Sequence, residues 1–186
     1  MTIWDVTRRA FLRNSATGLG SAWLAAHWPA VLSAQQGAKL EFFTPQQATE
    51  VDAICAQIIP TDSTPGAREA RCLNFIDHFL VTYGKAQQAV YTRGLQDLEA
   101  QVVVLVPGAT KFSALTSEQQ IKVLTAIEKT PFFTQIRNDT IIGMFADPKH
   151  GGNYNQAGWK LIGYNASTTF PYANKPPFGS YDAVVS

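Results

Sequence analysis

Beyond residue 34 the chain holds two histidines, His78 and His150, and two cysteines, Cys55 and Cys72. Each histidine has an aspartate close in sequence, Asp77 beside His78 and Asp147 three positions before His150. The first chemistry to consider is therefore proton transfer by a carboxylate and an imidazole. Adjacent residues on a helix do not face one another, so Asp77 and His78 form no such pair by sequence alone. A capping or locally paired role is the plainer expectation for Asp77, as for Asp62. A stand-alone enzyme or small-ligand binder would have to be built from Asp77, His78, Asp147 and His150. The cysteines flank a turn-rich loop, near the end of one expected helix and the start of the next. A disulfide between them would contribute about 3 kcal/mol, and two buried thiols suit the same apolar helix positions. The sequence leaves both readings open. There is no Gly-x-Gly-x-x-Gly, no Gly-Lys-Ser/Thr loop, no Cys-x-x-Cys-His and no cysteine cluster. No catalytic, cofactor-binding or metal-ligating residue is therefore assigned.

Residues 1–34 address where the chain goes. Thr7-Arg8-Arg9-Ala10-Phe11-Leu12-Arg13 precedes a weakly apolar segment rich in Ala and Gly. A basic region before a short apolar one is the pattern of a secretion signal, and paired arginines mark the twin-arginine route for folded cargo. Arg8, Arg9, Phe11 and Leu12 are the signal residues. Gly18, Gly20, His27 and Pro29 interrupt the apolar run, which falls short of the roughly 20 residues that span a bilayer. The expectation is a periplasmic protein with a twin-arginine signal over residues 1–34, whose cleavage after Ala34 the sequence leaves open, and a domain over residues 35–186. An export signal for folded cargo, without a cofactor site, suggests that the cargo is a partner carried out behind this signal.

Of 15 basic and 14 acidic residues, the first 34 hold Arg8, Arg9, Arg13 and Asp5, so the remainder has a formal charge of −1. That balance argues against a nucleic-acid partner or an anionic-membrane footprint. About 150 residues make one domain.

The elements behind these residues read as helices. Thr44-Pro45-Gln46-Gln47 is a capping box with proline at the first helical position. Val51, Ile54, Cys55 and Ile58 then recur on one face, and Pro60 closes the element. After the loop at residues 60–69, a helix from about Ala70 to Tyr83 carries Cys72, Ile76, Phe79, Leu80 and Tyr83 on one side, with Gly84 as its stop. A third helix covers Ala86–Val104, with Tyr91, Leu95, Leu98 and Val102 inward. A second capping box, Thr116-Ser117-Glu118-Gln119, opens a fourth with Ile121, Leu124 and Ile127 beneath. Thr130-Pro131 starts a fifth carrying Phe132, Phe133, Ile136, Thr140 and Met144. The fold class is all-α, a single irregular helical bundle.

The least generic stretch is Asp147–Tyr164, with four of the 13 glycines. It reads as a long ordered loop anchored by Trp159, Leu161, Ile162 and Tyr164. From residue 164 to 186 an extended tail contains Phe170, Pro171, Tyr172, Pro176, Pro177, Phe178 and Tyr181 and shows no helical period. Such a tail can lie along a groove. Gly151, Gly152, Asn153, Trp159, Gly163 and Tyr164, with Phe170, Tyr172 and Phe178, are the candidates for contact with another subunit. Packing on the chain's own helices is the alternative for the same residues.

Taken in order, several motifs resemble gluconate 2-dehydrogenase subunit 3. They are the signal, Ile59-Pro60-Thr61-Asp62 with Thr64-Pro65-Gly66-Ala67, Phe75-Ile76-Asp77, and Phe112 with Leu115 ahead of Glu118-Gln119-Gln120. Asp147-Pro148-Lys149-His150-Gly151-Gly152-Asn153 follows, then Gly158-Trp159 and Ile162-Gly163-Tyr164. The resemblance implies a non-catalytic gamma subunit of an FAD-dependent sugar or sugar-acid dehydrogenase. Its implied partners are a large flavoprotein, which holds the FAD, and a multihaem cytochrome c, which holds haem c. The small subunit would supply the export signal for the folded flavoprotein, stabilise it, and sit at the inner membrane through its partners.

Overall fold

The computed structural model describes residues 39–164. Within them six α-helices follow one another: α1 (Pro45–Ile58), α2 (Cys72–Val81), α3 (Gln88–Leu105), α4 (Ser117–Ile127), α5 (Pro131–Phe145) and α6 (Ala157–Leu161). Four 3-10 turns join them, at Lys85–Gln87, Phe112–Ala114, Pro148–His150 and Tyr154–Gln156. No strand occurs among the described residues, so the expected all-α bundle is the fold.

Side-chain caps fix the helix starts. Thr44 and Gln47 satisfy each other's backbone N–H groups at α1, and Thr116 and Gln119 do the same at α4. Thr130 Oγ1 accepts from Phe133 N–H at α5, with Pro131 at the first helical position. These contacts neutralise donors that a helix end otherwise leaves without partners.

The bundle closes around α5, which packs against α1, α2, α3 and α6. Val51, Ile54, Ile76, Leu80, Tyr91, Leu98, Val102, Phe112, Ile136 and Met144 are fully buried in one core. The Tyr91 ring meets Phe43 and Phe132 edge-on, at centroid distances of 5.8 Å and 5.7 Å. Its hydroxyl donates to Asp139 Oδ2 at 2.7 Å, and Gln135 Nε2 donates to both oxygens of that carboxylate. Desolvation by burial raises the Asp139 pKa against the opposing effect of these donors. Asp52 is buried beside Arg68, at 2.8 Å. Glu50 accepts from the Ser113 hydroxyl and backbone N–H, tying α1 to the turn before α4.

Three expectations are corrected here. α2 ends at Val81, where Thr82 and Gly84 N–H groups both donate to Phe79 O, and Tyr83 turns outward with 84 % exposure. Gly84 follows the helix, but for a different reason from a left-handed stop: its φ is −95°, and a Cβ there would strike the Phe79 ring. On α4 the buried positions are Gln120, Val123, Leu124 and Ile127, and Ile121 is 54 % exposed. Gln120 takes the inward place because its amide donates to Phe112 O at 3.0 Å and accepts from Gln57 at 2.6 Å. A buried amide with both ends bonded turns the helix face by one residue from the purely apolar choice.

Candidate functional site

The stretch Asp147–Tyr164 contains more regular structure than a loop, because two 3-10 turns and α6 lie within it. Asn153 is its organising residue and is fully buried. Its N–H donates to Gly143 O at 2.7 Å, and its side-chain amide donates to Ala146 O at 2.8 Å. Its Oδ1 accepts from Gly158 N–H at 2.9 Å and more weakly from Trp159 N–H at 3.4 Å. One side chain thus joins the end of α5 to the start of α6. The Trp159 indole N–H reinforces the joint by donating to Phe145 O at 2.7 Å.

Two glycines let the backbones approach. A Cβ at Gly152 would run into Gly143 O, and one at Gly158 would run into Met144 O. Asn153, Asn155 and Gln156 all have positive φ, at 46°, 53° and 59°. Left-handed backbone at a non-glycine residue costs of order 1 kcal/mol, less at Asn, so α6 is held in place against local strain. Tyr154 N–H bonds to Ala70 O, and the Arg71 guanidinium lies 3.4 Å from the Tyr154 ring centroid. Trp159 and Tyr164 meet edge-on at 4.9 Å.

Of the candidate contact residues, Gly152 and Asn153 are buried and engaged on α5, while Gly151 is exposed with φ 94°. Trp159 and Tyr164 are half-buried and Gly163 is exposed. Leu161 and Ile162, expected as inward anchors, are 43 % and 61 % exposed. Leu161 is the last residue of α6 and Ile162 its C-cap, beyond Gly158, the residue laid on α5. The small glycine makes the close approach and the larger side chains stand out. Sequence reasoning treated Trp159, Leu161, Ile162 and Tyr164 alike as anchors and missed α6. Arg8, Arg9, Phe11, Leu12, Phe170, Tyr172 and Phe178 lie outside the described residues.

The proton-transfer candidates come partly together. His78 and His150 line one cleft of about 240 Å³ with Lys39, Glu41, Asn74, Asp77 and Lys149. Asp77 is buried, and its carboxylate is committed to backbone: Oδ2 accepts from Glu41 N–H at 2.6 Å, and Oδ1 from Phe42 and Phe43 N–H at 3.1 Å and 2.8 Å. The carboxylate facing His78 is instead Glu41, at 3.1 Å, which sequence spacing gave no means of finding. Asp147 accepts from Lys149 N–H, and that bond lowers its pKa. Asp62 likewise caps Thr64. Among the described residues no group of three or more His, Cys, Asp or Glu side chains could hold a metal.

Cys55 and Cys72 are both buried thiols. Thr140 Oγ1 donates to Cys55 Sγ at 3.2 Å. Burial pushes the Cys55 thiol up to about 12 and raises that of Cys72 as well. Neither has the lowered pKa of a reactive cysteine. No helix among the described residues is long and apolar enough to cross a membrane.

Comparisons with curated proteins and with solved structures returned no match. A family model described as gluconate 2-dehydrogenase subunit 3 matches residues 45–165, from the first turn of α1 to just past Tyr164. The chain belongs to the gluconate 2-dehydrogenase subunit 3 family.

Proposed function

We propose that this protein is the non-catalytic small subunit of an FAD-dependent dehydrogenase acting on a sugar or sugar acid. In this reading its twin-arginine signal carries the folded flavoprotein to the periplasm, and the helical domain stabilises that subunit. Electrons pass from the flavin of the large subunit to a multihaem cytochrome c, and the small subunit meets the inner membrane through these partners. The observation that carries the reading is the family match over α1–α6. The geometry agrees: Asp77 and Asp147 hold backbone, and the cysteines are buried with raised pKa values. The substrate chemistry is assigned to the partner.

The test is purification of the tagged full-length chain from its native host, with an absorption spectrum of the product. A flavin spectrum with a large second polypeptide supports the subunit reading. A colourless single chain counts against it. A second reading, a stand-alone small-ligand binder, draws on the cleft that brings His78 and His150 together. It predicts that the isolated chain binds a sugar acid such as gluconate in calorimetry and that His78→Ala abolishes the heat.

A further inference from the structure

A second cleft, of about 310 Å³, lies where the end of α1 meets α4 and α5. Ile58, Ile121, Leu124 and Phe133 make its apolar hollow, and Glu128 and Arg137 are its charged members. Leu124 is buried, Ile58 and Phe133 are half-buried, and Ile121 stands 54 % exposed. The position of Ile121 is enforced from beneath. Gln120 turns inward to bond Phe112 O and Gln57, and the next residue on the helix is thereby turned out. Gln57 also donates to the Ser117 hydroxyl at 3.3 Å, which secures the α1 wall of the cleft to the first turn of α4. A surface held in its binding geometry loses little freedom when a partner arrives.

Single exposed aliphatic residues and single exposed charges are ordinary. Here two charges of opposite sign border one apolar hollow, and both lack a counterion. Glu128 and Arg137 are exposed, and neither makes an ion pair or a side-chain hydrogen bond among the described residues. An occupant carrying charge of one sign would pair with one of them and repel the other. An occupant presenting a base and an acid in the same arrangement pairs with both, and this cleft itself presents that arrangement. Ile121 likewise projects beside a hollow of its own polarity, so one copy offers what the other can cover.

We propose that the cleft between α1, α4 and α5 docks a second copy of this chain, related to the first by a twofold axis. In such an isologous contact the same patch meets itself, and each pairing occurs twice. Glu128 of each copy then faces Arg137 of the other, and the two Ile121 side chains are covered between the ion pairs. The two charges cancel within the face, so the copies do not repel one another there. A stable interface uses roughly 20–30 residues a side. Eight residues line this cleft, so the contact is weak and reversible, with a Kd on the order of 100 µM. It does not depend on the subunit reading, because the flavoprotein takes no part in it.

The experiment is sedimentation equilibrium of the full-length chain at low salt, with Glu128→Arg and Arg137→Glu measured singly and mixed in equal amounts. Wild type is expected to shift reversibly from one chain to two as concentration rises through the stated Kd. Each single reversal opposes like charges across the twofold axis and is expected to weaken association at least about tenfold. The mixture is expected to recover it, since one variant then presents two bases and the other two acids. Wild type that stays a single chain up to about 1 mM overturns the proposal, as does association untouched by either reversal. Loss in both single variants without recovery in the mixture shows that the pairing is not reciprocal and overturns it too. The same holds if both variants shed a large polypeptide that wild type retains and the mixture fails to regain it, which would seat that polypeptide in the cleft. Circular dichroism checks that each variant is folded. If a charge reversal unfolds the chain, Ile121→Ser, at a position already exposed, decides: association weakened at least about tenfold supports the contact, and undiminished association overturns it.

Discussion

The side chain of Asn153 works at both ends, donating to Ala146 O and accepting from Gly158 N–H, with no exposure to water. Asn153→Ala would leave both of those backbone groups without a partner inside the protein. The expected loss is about 2 kcal/mol. Because α6 lies at the edge of the bundle, the loss should appear as local opening before global unfolding. Amide exchange at Gly158 and Trp159 should accelerate about thirtyfold, with little change at Leu98 or Ile136; uniform acceleration would show that α6 unfolds only with the bundle. Asp139 gives a second prediction, in pH. Burial raises its pKa, so in the window above the usual carboxylate value the folded protein binds more protons than the unfolded one. The Asp139 contribution to stability therefore falls as pH rises through that window. Asp139→Asn removes the titration, and urea unfolding from pH 4 to 7 should show the variant gaining on wild type as pH rises. A constant difference would refute the raised pKa. Asp139 was not legible in the sequence, since its partner Tyr91 is 48 residues away and belongs to another helix. Asp77 was legible only as a cap, because its three backbone donors come from residues 41–43.

At the scale of elements, helix starts were the most legible feature because capping is local chemistry. Both capping boxes and the Thr130-Pro131 start stand where the sequence placed them. Thr116→Ala should destabilise the protein by about 1 kcal/mol in chemical denaturation; no change would mean that the Gln120 contacts alone hold the start of α4. Helix faces were less legible where polar residues turn inward, as Gln120 does at the expense of Ile121. α6 was missed because its five residues are too few to show a period, and its start at Gln156 is left-handed and has no side-chain cap. Gly158→Ala tests its seating directly. The added methyl meets the backbone carbonyl of Met144, which has no freedom to rotate away. Trp159 emission should shift towards that of a solvated indole while the far-ultraviolet spectrum stays helical. An unshifted emission would mean that α6 tolerates displacement without losing the indole bond.

For the whole molecule, the family and the all-α class were readable from ordered motifs, and the burial state of the cysteines was not. Both are thiols in the core, and with Tyr91 they give the protein an alkaline weakness. Unfolded thiols ionise near pH 8.5, whereas burial keeps the folded Cys55 thiol protonated up to about 12. The folded state then holds more protons, so stability is retained below the unfolded value and falls as pH rises through this interval. A thiol reagent should label neither cysteine in the native protein and both after guanidinium unfolding without reductant. Absence of label after unfolding would instead reveal a disulfide.

The grip of Asp77 on residues 41–43 also has a mechanical meaning. A pull applied to the chain upstream of Glu41 meets three backbone hydrogen bonds to one carboxylate before it reaches the first turn of α1. The load passes sideways into α2, and from there into α5 through the packing between those helices. Whatever is drawn on by the leading end of the chain is thus held by the middle of the bundle, and α1 is spared from being peeled away first. Asp77 acts as a cleat to which the front of the chain is made fast.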